Sequence, residues 1–257
     1  MPTKELVTAV IIAKNAGRDL EACLESIKWV DEIVLLDSGS TDDTVEIALR
    51  HGTKVHYGTD WPGFGIQRQR AQALASNDWV FMIDVDERVS PELQKNIEQI
   101  LIAPNPKKAY RFNRLTDFFG RFIRTSGWHP DWVSRLYHKD YFSYNSALVH
   151  EILSSEGSEE DLKGDLFHYT TSTYLDFISK SSRYACSWAD ERYRQGKRVY
   201  FIAIPLRSLS HFIVKYVFQR GFLEGKHGFL LAILSSFYTF HKYSALWILN
   251  REQKNVN

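Results

Sequence analysis

With 257 residues, 44% of them hydrophobic and 25% charged, the chain is long enough to bury a core, and its composition excludes a disordered, collagen-like or repeat protein. Two cysteines, Cys23 and Cys186, are too few for a disulfide framework or a zinc cluster and fit a reducing compartment. The formal charge of +1 hides a division: residues 192–257 hold 11 Lys or Arg against Glu224 and Glu252, a net +9, which leaves −8 for the first 191 residues.

Val7 to Ala13 is apolar apart from Thr8, as expected of a strand covered on both faces. It runs into Lys14-Asn15 without a small-residue cleavage site, which argues for a strand rather than a signal peptide and for a cytoplasmic location. Leu20, Cys23, Leu24 and Ile27 recur at helical spacing. Glu32 to Asp37 is a second strand, and Ser38-Gly39-Ser40 a turn. Ser40 is the expected N-cap of a helix through Val45, Ala48 and Leu49, with Asp42 and Asp43 in its first turn. Lys54 to Tyr57 reads as a third strand, Gln67 to Ala75 as a helix, and Trp79 to Ile83 as a fourth strand. Pro91 opens a helix with Leu93, Ile97, Ile100 and Leu101 on its apolar face. This alternation predicts an α/β fold on a parallel sheet. After Pro104, strands are expected at Tyr110–Asn113 and Val133–His138, and a polar helix over Ser172–Gln195.

From Val199 the chain turns apolar, aromatic and basic. Leu209, Phe212, Ile213, Tyr216 and Val217 form a helical stripe, and Gly228 to Phe240 holds no Lys, Arg, Asp or Glu. Thirteen residues fall short of the roughly 20 that span a bilayer, so the stretch either packs on the domain or lies in a membrane interface, where basic and apolar residues together suit anionic lipid. The expected domains are 1–195 and a helical, amphipathic extension over 196–257.

The chemistry concentrates where strands end, because open α/β sheets bind ligands beyond the carboxyl ends of their strands. Asp37 ends the second strand and Asp84-Val85-Asp86 the fourth. A single Asp there is more often a turn residue. Two carboxylates one residue apart concentrate negative charge that a hard cation, Mg²⁺ or Mn²⁺, would neutralise while sharing its other positions with phosphate oxygens. Arg68, Arg70 and Arg135 could neutralise a diphosphate. Trp61, Trp128 and Trp132 could stack on sugar rings or simply pack.

Three motifs, VTAVIIAKN, EIVLLDSGSTDDT and DWVFMIDVDERV, come in the order and spacing that resemble the inverting glycosyltransferases of family 2, with the nucleotide-sugar-binding fold called GT-A. That resemblance implies that Asn15 lines the base pocket, Asp37 contacts the uridine of the donor, Asp84 lies near ribose or diphosphate, and Asp86 ligates the metal. WPGFGIQRQRAQALA, RLYHKD, VHE at 149–151 and HYTTSTYLDFISKSSRY extend the likeness over nearly the whole chain. They resemble the lipopolysaccharide inner-core branch, the heptose β-1,4-glucosyltransferases, which implies UDP-glucose as donor and a lipopolysaccharide core acceptor at the inner face of the cytoplasmic membrane. His150-Glu151 stands where family 2 has an acidic pair, making Glu151 the candidate base; His168 could complete the metal shell. A polyprenyl-phosphate acceptor and a non-catalytic carbohydrate- or membrane-binding module are the competing readings. A nucleic-acid partner is disfavoured, since the front of the chain is net acidic.

Overall fold

The computed structural model describes residues 4–148, 151–155, 157–170 and 173–252. In chain order the strands are β1 (Val7–Ala13), β2 (Glu32–Asp37), β3 (Lys54–Tyr57), β4 (Trp79–Met82), β5 (Glu87–Val89), β6 (Lys108–Thr116), β7 (Trp132–His138), β8 (Phe142–Tyr144), β9 (Leu153–Ser155) and β10 (Ser158–His168). The helices are α1 (Gly17–Ile27), α2 (Thr44–Arg50), α3 (Phe64–Ala73), α4 (Pro91–Ile100), α5 (Tyr174–Arg194), α6 (Ala203–Ile213) and α7 (Gly225–Glu252), with a π-helical turn at Val214–Phe218 and a 3₁₀ turn at Gly221–Glu224.

Eight strands form one sheet in the order β3-β2-β1-β4-β7-β6-β10-β5. The β3-β2-β1-β4 half is parallel, and β7 joins β4 antiparallel. The parallel half follows from its sequence. Every residue of β1 and β4 is buried, so both strands need side chains that tolerate no water on either face. α1 buries Leu20, Cys23, Leu24 and Ile27 against this sheet. α4 starts where Ser90 Oγ accepts the Leu93 amide at 3.2 Å with Pro91 at the first helical position, an arrangement that satisfies an otherwise orphaned donor.

Three expectations are corrected. Ser40 does not cap α2: Asp37 accepts the Ser40 amide at 3.0 Å, and Ser40 Oγ takes the Asn15 amide at 2.9 Å, so the helix starts after Asp43. The polar strand β10 carries the sheet onward where no strand was expected, and pairs Leu166, Phe167 and His168 with Val89, Arg88 and Glu87. Finally, the chain divides into a unit of Met1–Leu115 with Asp131–His168 and a unit of Thr116–Pro130 with Tyr169–Asn257, not at residue 195. α5 belongs to the second unit because it packs along α7, and the loop Thr116–Pro130 brings Phe118 and Ile123 into the cluster of Leu231 and Leu234.

Candidate active site

The carboxyl edge of the parallel strands is built from three turns. After β1, Asn15 takes the left-handed conformation (φ 52°), and its Oδ1 accepts the Thr41 amide at 2.8 Å. After β2, the buried carboxylate of Asp37 accepts the amides of Gly39 and Ser40 at 3.0 Å each. These bonds tie the two loops together. After β4, Asp84 opens a turn in which its carbonyl accepts the Glu87 amide at 3.0 Å while its own amide donates to Glu87 Oε2 at 2.9 Å.

A second segment is brought to this edge by α3. Its first amides, of Phe64 and Gly65, donate to the carbonyls of Leu148 and Ala147 at 3.1 and 3.0 Å, filling donors that a helix start leaves unpaired. So close an approach requires glycine: a Cβ on Gly65 would lie 2.0 Å from the Asn145 oxygen. This docking sets Glu151 beside Arg68, 83 positions away in sequence; Arg68 Nε donates to Glu151 Oε1 at 2.7 Å.

The result is a chain of alternating charges. Arg68 donates its second bond to Asp84 Oδ1 at 2.7 Å. Arg135, from β7, donates to the other oxygen of Asp84 and to Glu87 Oε1, the latter at 2.7 Å. Arg114 stands 3.7 Å from Glu87 and holds Asp131 at 2.7 Å. Arg68, Arg135 and Glu87 are 4%, 5% and 0% exposed. Burial alone would drive Asp84 toward its neutral form, but Arg135 and Arg68 outweigh it and hold the carboxyl well below the usual range. Burial likewise opposes the charge of both arginines, and Asp84 restores it, raising both. The Tyr144 ring lies 5.3 Å from the Arg68 guanidinium, and burial pushes its hydroxyl up.

The expected residues therefore separate into groups. Asp84, Arg68, Arg135 and Glu151 meet in one network. Asp86 faces His168, with Oδ2 and Nε2 3.4 Å apart and side chains 29% and 14% exposed; the β5–β10 pairing supplies this contact. Asn15 and Asp37 stabilise the neighbouring turns. Arg70 is not brought in: it lies on the exposed side of α3, bound to Asp60 through both nitrogens at 2.9 Å. Trp61 and Trp132 are exposed, whereas Trp128 packs edge-on against Phe118 at 5.6 Å. His150 lies outside the described residues. Sequence reading missed Glu87, which anchors the Asp84 turn; its signal was a third acid within four positions, against arginines that need partners.

No group of three metal-binding side chains occurs among the described residues. Asp86 and His168 nonetheless fit a hard cation that takes few protein ligands and completes its shell with phosphate and water. They are close together and partly open, and Asp86 lies outside the arginine network.

A parallel half-sheet with carboxylates at its carboxyl edge, continued by antiparallel strands that bring in basic side chains, is the frame of a GT-A fold. The description of Glycosyl transferase family 2 matches residues 8–144, more than half of the chain, and the chain belongs to that family. It is 28% identical to an uncharacterised glycosyltransferase of Rickettsia prowazekii over 97% of this chain and 89% of that one. It is 29% identical to the lipopolysaccharide core biosynthesis glycosyltransferase LpsC of Rhizobium meliloti, over 91% and 89%. Among solved structures, glucosyl-3-phosphoglycerate synthase of Mycobacterium tuberculosis, in complex with Mn²⁺, UDP and glucosyl-3-phosphoglycerate, is 27% identical over 44% of each chain, with a TM-score of 0.37.

Proposed function

We propose that the protein transfers glucose from UDP-glucose, with inversion, to a heptose hydroxyl of the lipopolysaccharide inner core, at the cytoplasmic face of the inner membrane. The observation that carries the reading is the division of labour at Asp84-Val85-Asp86. Asp84 is consumed by Arg68 and Arg135 and fixes both, while Asp86 stays open beside His168. The core-biosynthesis relative from Rhizobium meliloti supports the acceptor class.

In this reading Asn15 and Asp37 line the nucleoside end of the donor, and Asp86 with His168 hold the divalent cation. A bound Mg²⁺ or Mn²⁺ would neutralise charge on the departing diphosphate. Glu151 takes the proton of the acceptor hydroxyl. Arg68 holds that carboxylate at a fixed point, so the base and the Asp84 turn keep one relative geometry, the kind of positioning on which bimolecular transfer depends. Among the described residues, Arg68 and Arg135 each keep one buried nitrogen without a hydrogen-bond partner, Nη1 and Nε respectively. Arg70 is left outside the donor site.

The test is product analysis. Purified protein is incubated with a panel of nucleotide sugars and a core acceptor ending in heptose, with Mg²⁺, Mn²⁺ or EDTA. Transfer of glucose from UDP-glucose, abolished by EDTA and by Asp86→Ala, is the expected result. Full activity in EDTA would remove the metal from the proposal, and transfer only to a polyprenyl phosphate would replace the acceptor.

A further inference from the structure

The second unit exposes what helices ordinarily hide. α7 buries Leu231, Ala232, Leu234 and Leu246, yet Phe229, Ile233, Phe237 and Phe240, on its opposite side at three- and four-residue spacing, are 40–52% exposed. α6 repeats the pattern. It buries Ile204 and Ser208, and opposite them Leu206, Leu209 and Ile213 are 39–59% exposed; Val217, in the π-helical turn that follows, is 50% exposed. A surface helix turns an apolar stripe inward and a polar one to solvent; these two packed helices are apolar on both sides. The turns at their ends continue the surface, with Tyr200, Phe201 and Ile202 at 84%, 64% and 65% and Phe218 at 75%.

Charge narrows what can cover such a surface. Lys197, Arg198, Arg220 and Lys226 flank the two turns and are exposed. Between Gln195 and Arg251 the one acidic residue is Glu224, which is buried and taken by Arg121 at 2.9 Å and the Arg124 amide at 2.8 Å. The face is therefore apolar with a basic margin and no exposed acid. A second copy would bring like charge against like charge, whereas an anionic surface is complementary. No helix among the described residues is long and apolar enough to cross a membrane, so the contact would be in the interface plane.

We propose that the outward stripes of α6 and α7, with the turns at 200–202 and 218–223, form a docking face for an anionic lipid bilayer, into which the aromatic and aliphatic side chains insert while the basic margin contacts headgroups. The proposal names the lipid-facing residues of the membrane partner in the reading above, and its test does not depend on catalysis.

The full chain is floated with vesicles of phosphatidylcholine alone or mixed with phosphatidylglycerol. Binding is expected with the anionic mixture, with partial release by high salt, since salt screens charge but leaves insertion intact. Lys197→Glu with Lys226→Glu should lower the partition coefficient by at least about fivefold per residue. Ile233→Ser with Phe237→Ser should abolish binding, and Lys95→Glu in α4 should change nothing. Hydrogen exchange of the unmodified chain should show protection at 200–223 and 226–240 on anionic vesicles, a readout that survives if a variant misfolds. Absence of flotation at low salt on anionic vesicles overturns the proposal. So does a dimer in sedimentation that Ile233→Ser dissolves without any vesicle binding. A chain that consumes donor but does not float keeps the transferase reading and loses this one; a chain that floats but consumes no donor does the opposite.

Discussion

The two units depart from ordinary partitioning in opposite ways. In the first, charges are buried: Arg68, Arg135 and Glu87 lie below 6% exposure, with Asp84 bonded to both arginines and Arg135 to Glu87. In the second, hydrophobic side chains are exposed, Tyr200 at 84% and Phe218 at 75%. A buried charge is tolerated only if paired with good geometry, so the first unit holds a fixed arrangement that closes on itself. An exposed apolar face leaves its free energy unrealised until something covers it, so the second unit is open toward a partner. The comparison teaches where each kind of function should fail: chemistry through loss of one charged group, association through loss of many apolar ones.

The sharpest break in the first unit is Glu151→Gln. It keeps the shape and a hydrogen-bond acceptor for Arg68 but removes the proton acceptor. Turnover should fall by about two to four orders of magnitude with donor affinity near normal, as read by steady-state rates and calorimetric titration of UDP-glucose. Normal turnover would move the base elsewhere. Among other carboxylates, Asp131 is held by Arg114 at 2.7 Å and Asp117 accepts the Gly120 amide at 3.1 Å.

Next in size is Arg135→Met, which leaves Glu87 buried with its nearest remaining cation 3.7 Å away and Asp84 with Arg68 alone. Removing one partner of a buried pair costs about 3–5 kcal/mol, to be measured by urea unfolding. A loss below about 1 kcal/mol would mean that water replaces the guanidinium and that the network is not closed.

How much of this was legible in the sequence depends on whether a signal is local. β1, β2, β3 and the helix at Pro91 were found at or near their ends because apolar runs and caps are local features. β10 was not: Ser158–His168 carries four acids and a lysine, and its place in the sheet comes from its position between β6 and β5, not from its own propensity. The acidic turn at Asp84 was plain, and Glu151 was proposed from its motif. Their meeting through Arg68 was not readable, since it depends on α3 docking against 145–148. Arg70 fails for a geometric reason: two residues along a helix turn a side chain about 200°, to the opposite face.

A third test compares a buried charge that lies away from the site. Glu32 accepts Thr8 Oγ1 at 2.6 Å, Lys54 Nζ at 2.5 Å and both the amide and hydroxyl of Ser76 at 2.8 and 2.7 Å. Burial opposes its ionisation, but these donors prevail and lower its pKa from 4.5 to about 2. Because the folded value lies below the unfolded one, the contribution is fully present above about pH 4.5 and is lost as pH falls toward 2. Its upper bound is roughly 3 kcal/mol. Glu32→Gln should lower stability at pH 7 and flatten the acid limb of the unfolding curve between those values; an unchanged limb would show that the pairing adds nothing.

The smallest effect is expected where the second unit is most unusual. Phe237 is 52% exposed in the middle of the α7 stripe, so Phe237→Ser removes little packing from the folded state and should shift stability by no more than about 0.5 kcal/mol. Leu231, six residues back on the buried side of the same helix and fully enclosed, provides the contrast: Leu231→Ala should cost about 2–5 kcal/mol through lost transfer energy and the cavity left behind. Thermal unfolding of the two variants measures the difference directly. If Phe237→Ser destabilises as much as Leu231→Ala, the outward face of α7 is already covered within the protein, and the opposition between a closed first unit and an open second one fails at its clearest point. If it does not, Phe237 adds little to the folded chain alone, as expected of a side chain in an uncovered docking face.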